Sequence, residues 1–171
     1  MLRSLVLAAA FAALFCPIAK AQAPTQASSA QTLADKDVPK LVTSRLRCSK
    51  PSGPVSVRAF AGGFVFSQPC PSGTDNPDRL VYANDKNGTG ARLLQFHRPE
   101  GRRMSALATV VFKPAENEIE GSTRRLTRRI CRAEGRWRME GKQPAPGLIC
   151  WRQTRDCDGN GGWQTTVNRS R

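Results

Sequence analysis

The sequence is short of the groups that most enzymes depend on. His97 is its single histidine. A catalytic triad needs nucleophile, base and orienting acid together, and no Gly-x-Ser-x-Gly elbow is present. His97 lies at a strand end before Arg98-Pro99 and reads as a surface polar residue. No Cys-x-x-Cys pair occurs, which removes structural zinc, and no motif calls for a cofactor. Aromatic residues make up 6% of the chain, too few for the stacking platform that grips single-stranded nucleic acid. Beyond the N-terminus no apolar run approaches the roughly 20 residues of a membrane-spanning helix. Acids are scarce as well, 13 against 27 lysines and arginines. No fixed internal period is found, so a repeat array is excluded.

What is present begins with a leader. Arg3 supplies a positive start, Leu5 to Phe15 form an eleven-residue apolar run, and Ala19-Lys20-Ala21 and Ala21-Gln22-Ala23 both fit a small-x-small cleavage site. Residues 1–23 therefore read as a signal peptide, and the mature product as periplasmic or secreted. Cys16 follows the apolar run as a lipidated cysteine would, but bulky Phe15 stands where that processing takes glycine or alanine. Residues 24–40 are rich in Gln, Ala, Ser and Thr and read as a disordered tether. A single β-rich domain is expected over 41–171. Removing Arg3 and Lys20 leaves 25 basic residues against 13 acids, a charge near +12, and most of the bases are arginine. Such a balance favours anionic partners, and arginine's planar fork suits phosphate and carboxylate.

Turn signals recur every eight to fifteen residues, and no helical period is sustained. Val55 to Phe60 alternates, Phe64-Val65-Phe66 is a short apolar run, and Arg79 to Ala83 and Ala91 to Phe96 flank a loop whose Asn87-Gly88 reads as a hairpin turn. Ala106 to Phe112 is expected to be one strand. The stretch 117–131 suggests strands from Ile119 and from Leu126, or instead a short helix over 122–129. Gly135 to Met139 and Leu148 to Thr154 carry Trp137 and Trp151, the second strand starting after a Pro146-Gly147 turn. Trp163 to Asn168 closes the chain. The expectation is an all-β, antiparallel small sandwich or open barrel of roughly eight strands, stapled by disulfides. Trp137, Trp151, Val110 and Phe112 are expected in its core.

Several segments carry a resemblance. Pro69-Cys70-Pro-Ser-Gly73-Thr-Asp-Asn76 with Leu80-Val-Tyr82, then Ala108 to Phe112, Ile130-Cys131, Gly135 to Gly141, Cys157-Asp-Gly159 and Gly162-Trp163-Gln-Thr resemble an exported proteobacterial family catalogued as domain of unknown function 1176. Glu140 replaces that family's hairpin aspartate, Thr74-Asp75 replaces Ala-Tyr, and Cys150 is an addition. The resemblance implies an exported β-domain and brings no activity.

Five cysteines remain after cleavage: Cys48, Cys70, Cys131, Cys150 and Cys157. In an oxidising compartment they make two disulfides and one remainder. The family-like positions imply Cys48–Cys70, bracketing the first strands, and Cys131–Cys157, closing the Trp137 hairpin at its open end. Cys150 is then a buried free thiol. A Cys131–Cys150 bridge stays open as the competing pairing.

Two patterns offer chemistry beyond turns. Glu116, Glu118 and Glu120 alternate, and paired carboxylates hydrolyse glycosides. The milder reading is a charged edge strand that discourages aggregation. Asp156, Asp158 and Asn160 with Gly159 and Gly161 are reminiscent of a calcium loop but lack its closing glutamate, since Val167 stands at the twelfth position. The arginine cluster stands apart. Arg124, Arg125, Arg128, Arg129, Arg132, Arg136 and Arg138 lie within fifteen residues that hold one acid, Glu134, and Arg152 on the neighbouring strand extends the patch. The function expected is a non-catalytic module binding an anionic envelope component or a protein partner through this face. Nucleic acid is the poorer fit for an exported chain. The alternatives are an exported hydrolase using the glutamates and a periplasmic hydrolase inhibitor.

Overall fold

The computed structural model describes residues 29–71, 77–127, 130–141, 144–155 and 162–168. Residues 1–28 and 156–161, Cys157 among them, lie outside them. Two antiparallel sheets face each other, as the alternating apolar pattern requires. The first takes β1 (Gln31–Leu33), β2 (Val55–Phe60), β3 (Gly63–Pro69), β4 (Asp78–Ala83) and β5 (Arg92–Leu93) in chain order. A two-stranded ribbon follows, β6 (Phe96–His97) with β7 (Arg103–Met104), and β8 (Ala106–Leu107) then adds to β4. The second sheet is a meander of β9 (Thr109–Lys113), β10 (Glu118–Thr127), β11 (Ile130–Glu140), β12 (Ala145–Thr154) and β13 (Gln164–Asn168). Helix α1 (Lys40–Leu46) covers the outer side of the first sheet.

Period-2 alternation divides the first sheet's side chains between two apolar clusters. Val55, Val57, Phe66, Val81 and Ala83 pack under Val42 and Leu46 of α1. Phe60, Val65, Leu80 and Tyr82 point the other way, onto Ile119, Ala133, Trp137, Met139 and Trp151 of the second sheet. Trp137 and Trp151 are fully buried with centroids 6.2 Å apart, and Val110 and Phe112 pack at the margin of the same core. Glycines at 121 and 135 make room there. A Cβ on Gly135 would collide with the Trp137 ring, and one on Gly121 would meet Leu107 Cδ1 at 2.5 Å. Helix α1 ends with Arg47 in the left-handed region at φ 47°, and its last carbonyls are capped from outside. Arg79 on β4 donates to Leu46 O at 2.7 Å and Arg47 O at 3.1 Å, a cation where the helix dipole is negative.

Several sequence expectations change here. Ordered structure starts ahead of Leu41, inside the stretch read as a tether, since β1 pairs with β2 and Val38 is buried. The all-β, antiparallel two-sheet class is as expected, and the roughly eight runs become thirteen strand segments among the described residues. The extra ones arise where a run breaks between sheets. Ala106 to Phe112 is two strands, because the chain leaves β4 and joins β10 at Ala108, whose N–H donates to Ser122 O at 2.7 Å. Glu118 to Thr127 is one continuous strand with no helix. Asn87-Gly88 is part of a longer loop held by Asn84 N to Thr89 O at 2.8 Å. The two-residue turn lies instead at Ala61-Gly62, φ 52° and 77°, between Phe60 and Gly63. Pro146-Gly147 is no turn: β12 runs through it opposite Met139 and Arg138. Proline is tolerated there because, among the described residues, β13 pairs with β12 only from Cys150 onward.

The Cys48–Cys70 disulfide is present, with 5.6 Å between Cα atoms. Cys150 corrects the sequence reading: it is fully buried but disulfide-bonded, as is Cys131. They are not bonded to each other. Register places Cys150 opposite Arg136, five residues from Cys131 along β11. That is about 16 Å at strand rise, beyond the roughly 7 Å a disulfide spans. The expected partner of Cys131, Cys157, lies outside the described residues.

Candidate functional site

One face of the second sheet lies on the core, and the other collects the charged residues singled out in the sequence. Antiparallel pairing puts Glu118 opposite Arg138, Glu120 opposite Arg136, Ser122 opposite Glu134 and Arg124 opposite Arg132. On the far side of β11, Arg152 lies opposite Glu134. On the far side of β10, Lys113, Val111 and Thr109 lie opposite Glu118, Glu120 and Ser122. All these positions share one parity, because side chains two apart on a strand project to the same side.

The arginines are not a bare positive patch, since glutamates from two strands interleave them. Glu118, only 4% exposed, receives Arg138 through Nε at 3.2 Å and Nη2 at 2.6 Å, and Arg136 Nε lies 3.5 Å from its other oxygen. Glu120 holds Lys113 at 2.6 Å. Glu134 takes Arg152 through Nε at 2.9 Å and Nη2 at 2.5 Å, with Arg132 3.4 Å from its second oxygen. The Arg152 guanidinium also stands 4.6 Å from the Trp163 ring centroid, and that of Arg132 5.8 Å from it. Charge-assisted bonds and stacking hold long side chains in fixed rotamers. These ion pairs join five cations to three carboxylates, so the face keeps a positive excess.

Of the expected binding residues, the structure brings Arg132, Arg136, Arg138 and Arg152 together. Arg124 pairs with Arg132 in the backbone register, and Arg125 follows it in β10. Arg128 and Arg129 lie outside the described residues. The glutamate reading is corrected. Glu116 is exposed in a 3₁₀ turn, not on the strand, and β10 is an interior strand flanked by β9 and β11. Glu118 and Glu120 do share a face, but each carboxylate is engaged by cations. His97 offers its main-chain carbonyl, not its ring, to Trp137.

Sequence reading missed that Glu118 and Glu120 belong to the arginine site. A partial signal existed: Glu-x-Glu and Arg-x-Arg each put like charges on one strand face, and the register of β10 against β11 then sets acid opposite base. Two further charges lie off this face. Asp78 on β4 is half buried, and that burial raises its pKa despite the nearby Arg58, while desolvation lowers that of Arg58. The Arg58 guanidinium sits 4.2 Å from the Phe112 ring centroid. Among the described residues no cluster of His, Cys, Asp and Glu is arranged to hold a metal ion, and no helix is long and apolar enough to cross a membrane. Compared with protein-family models, curated proteins and solved structures, the chain matches none.

Proposed function

We propose that this protein is an exported, non-enzymatic β-module that binds an anionic component of the cell envelope through the outer face of its second sheet. The observation that carries the reading is the ladder of five cations over three carboxylates. A ligand's acidic groups meet guanidinium groups already ordered by their glutamates, so little side-chain entropy is lost on binding. The leader-like N-terminus, the Cys48–Cys70 disulfide and the resemblance to domain of unknown function 1176 support an oxidising, extracytoplasmic compartment.

Retention on a heparin matrix tests the reading. The mature chain is expected to elute in a salt-dependent manner, with affinity falling by orders of magnitude between roughly 50 and 200 mM salt. An Arg132→Gln/Arg152→Gln variant should elute well before a variant of equal net charge, Lys36→Gln/Arg45→Gln, whose changes lie off the face. Equal elution of the two would show that net charge alone, not this face, makes the contact.

A further inference from the structure

The charged face is not flat. A groove of about 160 Å³ crosses β9, β10 and β11 beside the ladder, lined by Thr109, Val111, Glu120, Ser122, Arg132 and Glu134. Ser122 is 8% exposed and lines this groove. Lys113 takes one oxygen of Glu120, leaving the other to accept. Val111 forms an apolar wall at 48% exposure, and the Arg132 side chain stands at the rim, 52% exposed.

We propose that this groove is a subsite for one ring of an acidic polysaccharide, with the ring's hydroxyls on Glu120, Glu134 and Ser122 and its carboxylate on Arg132. The inference rests on the binding face proposed above and names its ligand. A bare phosphate or sulfate fits the groove poorly, because two carboxylates lie in its wall and an anion seated there is repelled. Sugar hydroxyls reverse that preference, since they donate to carboxylates. The C–H face of the ring covers Val111, and the acid group reaches Arg132 at the rim. Size agrees: the groove is smaller than the roughly 300–1,000 Å³ that enclose drug-sized ligands, so one ring enters and the rest of the polymer runs over the arginines.

The mature chain is titrated with four probes: polygalacturonate, D-galacturonate, D-glucose and inorganic polyphosphate, following backbone amide shifts by NMR. Polygalacturonate is expected to bind tightest. D-galacturonate should move the amides of Ser122 and Val111 more than D-glucose does. Ser122→Val, which fills the groove and removes the hydroxyl, should weaken polygalacturonate roughly tenfold and leave polyphosphate unchanged. If polyphosphate binds and polygalacturonate does not, the sugar subsite is overturned while the anion-binding face stands. If neither binds, both readings fall. Polygalacturonate bound with no shift at Ser122 and Val111 also overturns the subsite, and that readout needs no variant to fold.

Discussion

The indole N–H of Trp137 donates to the main-chain carbonyl of His97 at 2.9 Å, tying β11 to β6. The same ring meets Phe96 edge-on at 5.0 Å between centroids, so one side chain both fills the core and satisfies a carbonyl at its margin. Trp137→Ala is expected to cost about 3–5 kcal/mol, and Trp137→Phe about 1–3 kcal/mol for the carbonyl left without its donor. His97→Ala should change little, because the bond uses the backbone. Denaturant melts of the three variants check the order.

Ala61 holds a left-handed backbone at φ 52° in the β2–β3 turn, and its carbonyl accepts from Tyr82 Oη at 3.1 Å. Alanine pays for that conformation where asparagine or glycine would not. Ala61→Asn should therefore stabilise the protein by about 0.5–1 kcal/mol, seen as a higher midpoint with an unchanged denaturant slope.

Glu118 is nearly buried and serves two guanidinium groups. Glu118→Gln leaves both without their counter-ion and should cost about 1–3 kcal/mol, less than a fully buried pair because the arginines remain partly in water. The same change adds one net positive charge to the face. The variant should thus melt earlier and yet bind heparin at higher salt than the parent. A weaker heparin affinity in the folded variant would contradict the proposed binding face.

Two aspartates bend the acid stability in opposite senses. Burial raises the pKa of Asp78, so the folded chain holds this proton more tightly than the unfolded one. Its contribution is complete below the unfolded value near 3.9 and is lost as pH rises through the folded value. Asp85 is lowered by its hydrogen bonds to Thr89, so its contribution is complete above about 3.9 and is lost as pH falls through the folded value. Relative to the parent, Asp78→Asn should gain ground as pH rises from about 4, whereas Asp85→Ala should lose ground as pH rises toward about 4 and hold a constant deficit above it. Unfolding midpoints from pH 3 to 7 decide both signs.

The Cys48–Cys70 bridge joins residues 22 apart, just beyond α1 and at the end of β3. Replacing both with serine should cost about 3–4 kcal/mol in the chain-entropy view. The change can be followed by melting the double variant without reductant, which leaves the other cysteines as they are.

Local pattern was enough for the class of fold. Val55 to Phe60, Arg79 to Ala83 and Gln164 to Asn168 alternate or are β-branched, and each forms a strand close to where the sequence places it. The burial of Trp137 and Trp151 was legible for the same reason, since apolar bulk reports directly on the interior, and the Cys48–Cys70 pairing is the one the resemblance implies. The break at Ala108 was not. Strand propensity runs unbroken from Ala106 to Phe112, and only the competition of β4 and β10 for its backbone hydrogen bonds splits the run between two sheets. The Ala61-Gly62 turn was hidden likewise, because alanine signals no left-handed conformation and the pairing of β2 with β3 imposes it. The site shows the same division. Charge composition pointed to an arginine face, but its neutralisation by Glu118 and Glu120 depends on the register of β10 against β11. Register is set by which residues the core will bury, and that is a property of the two sheets together.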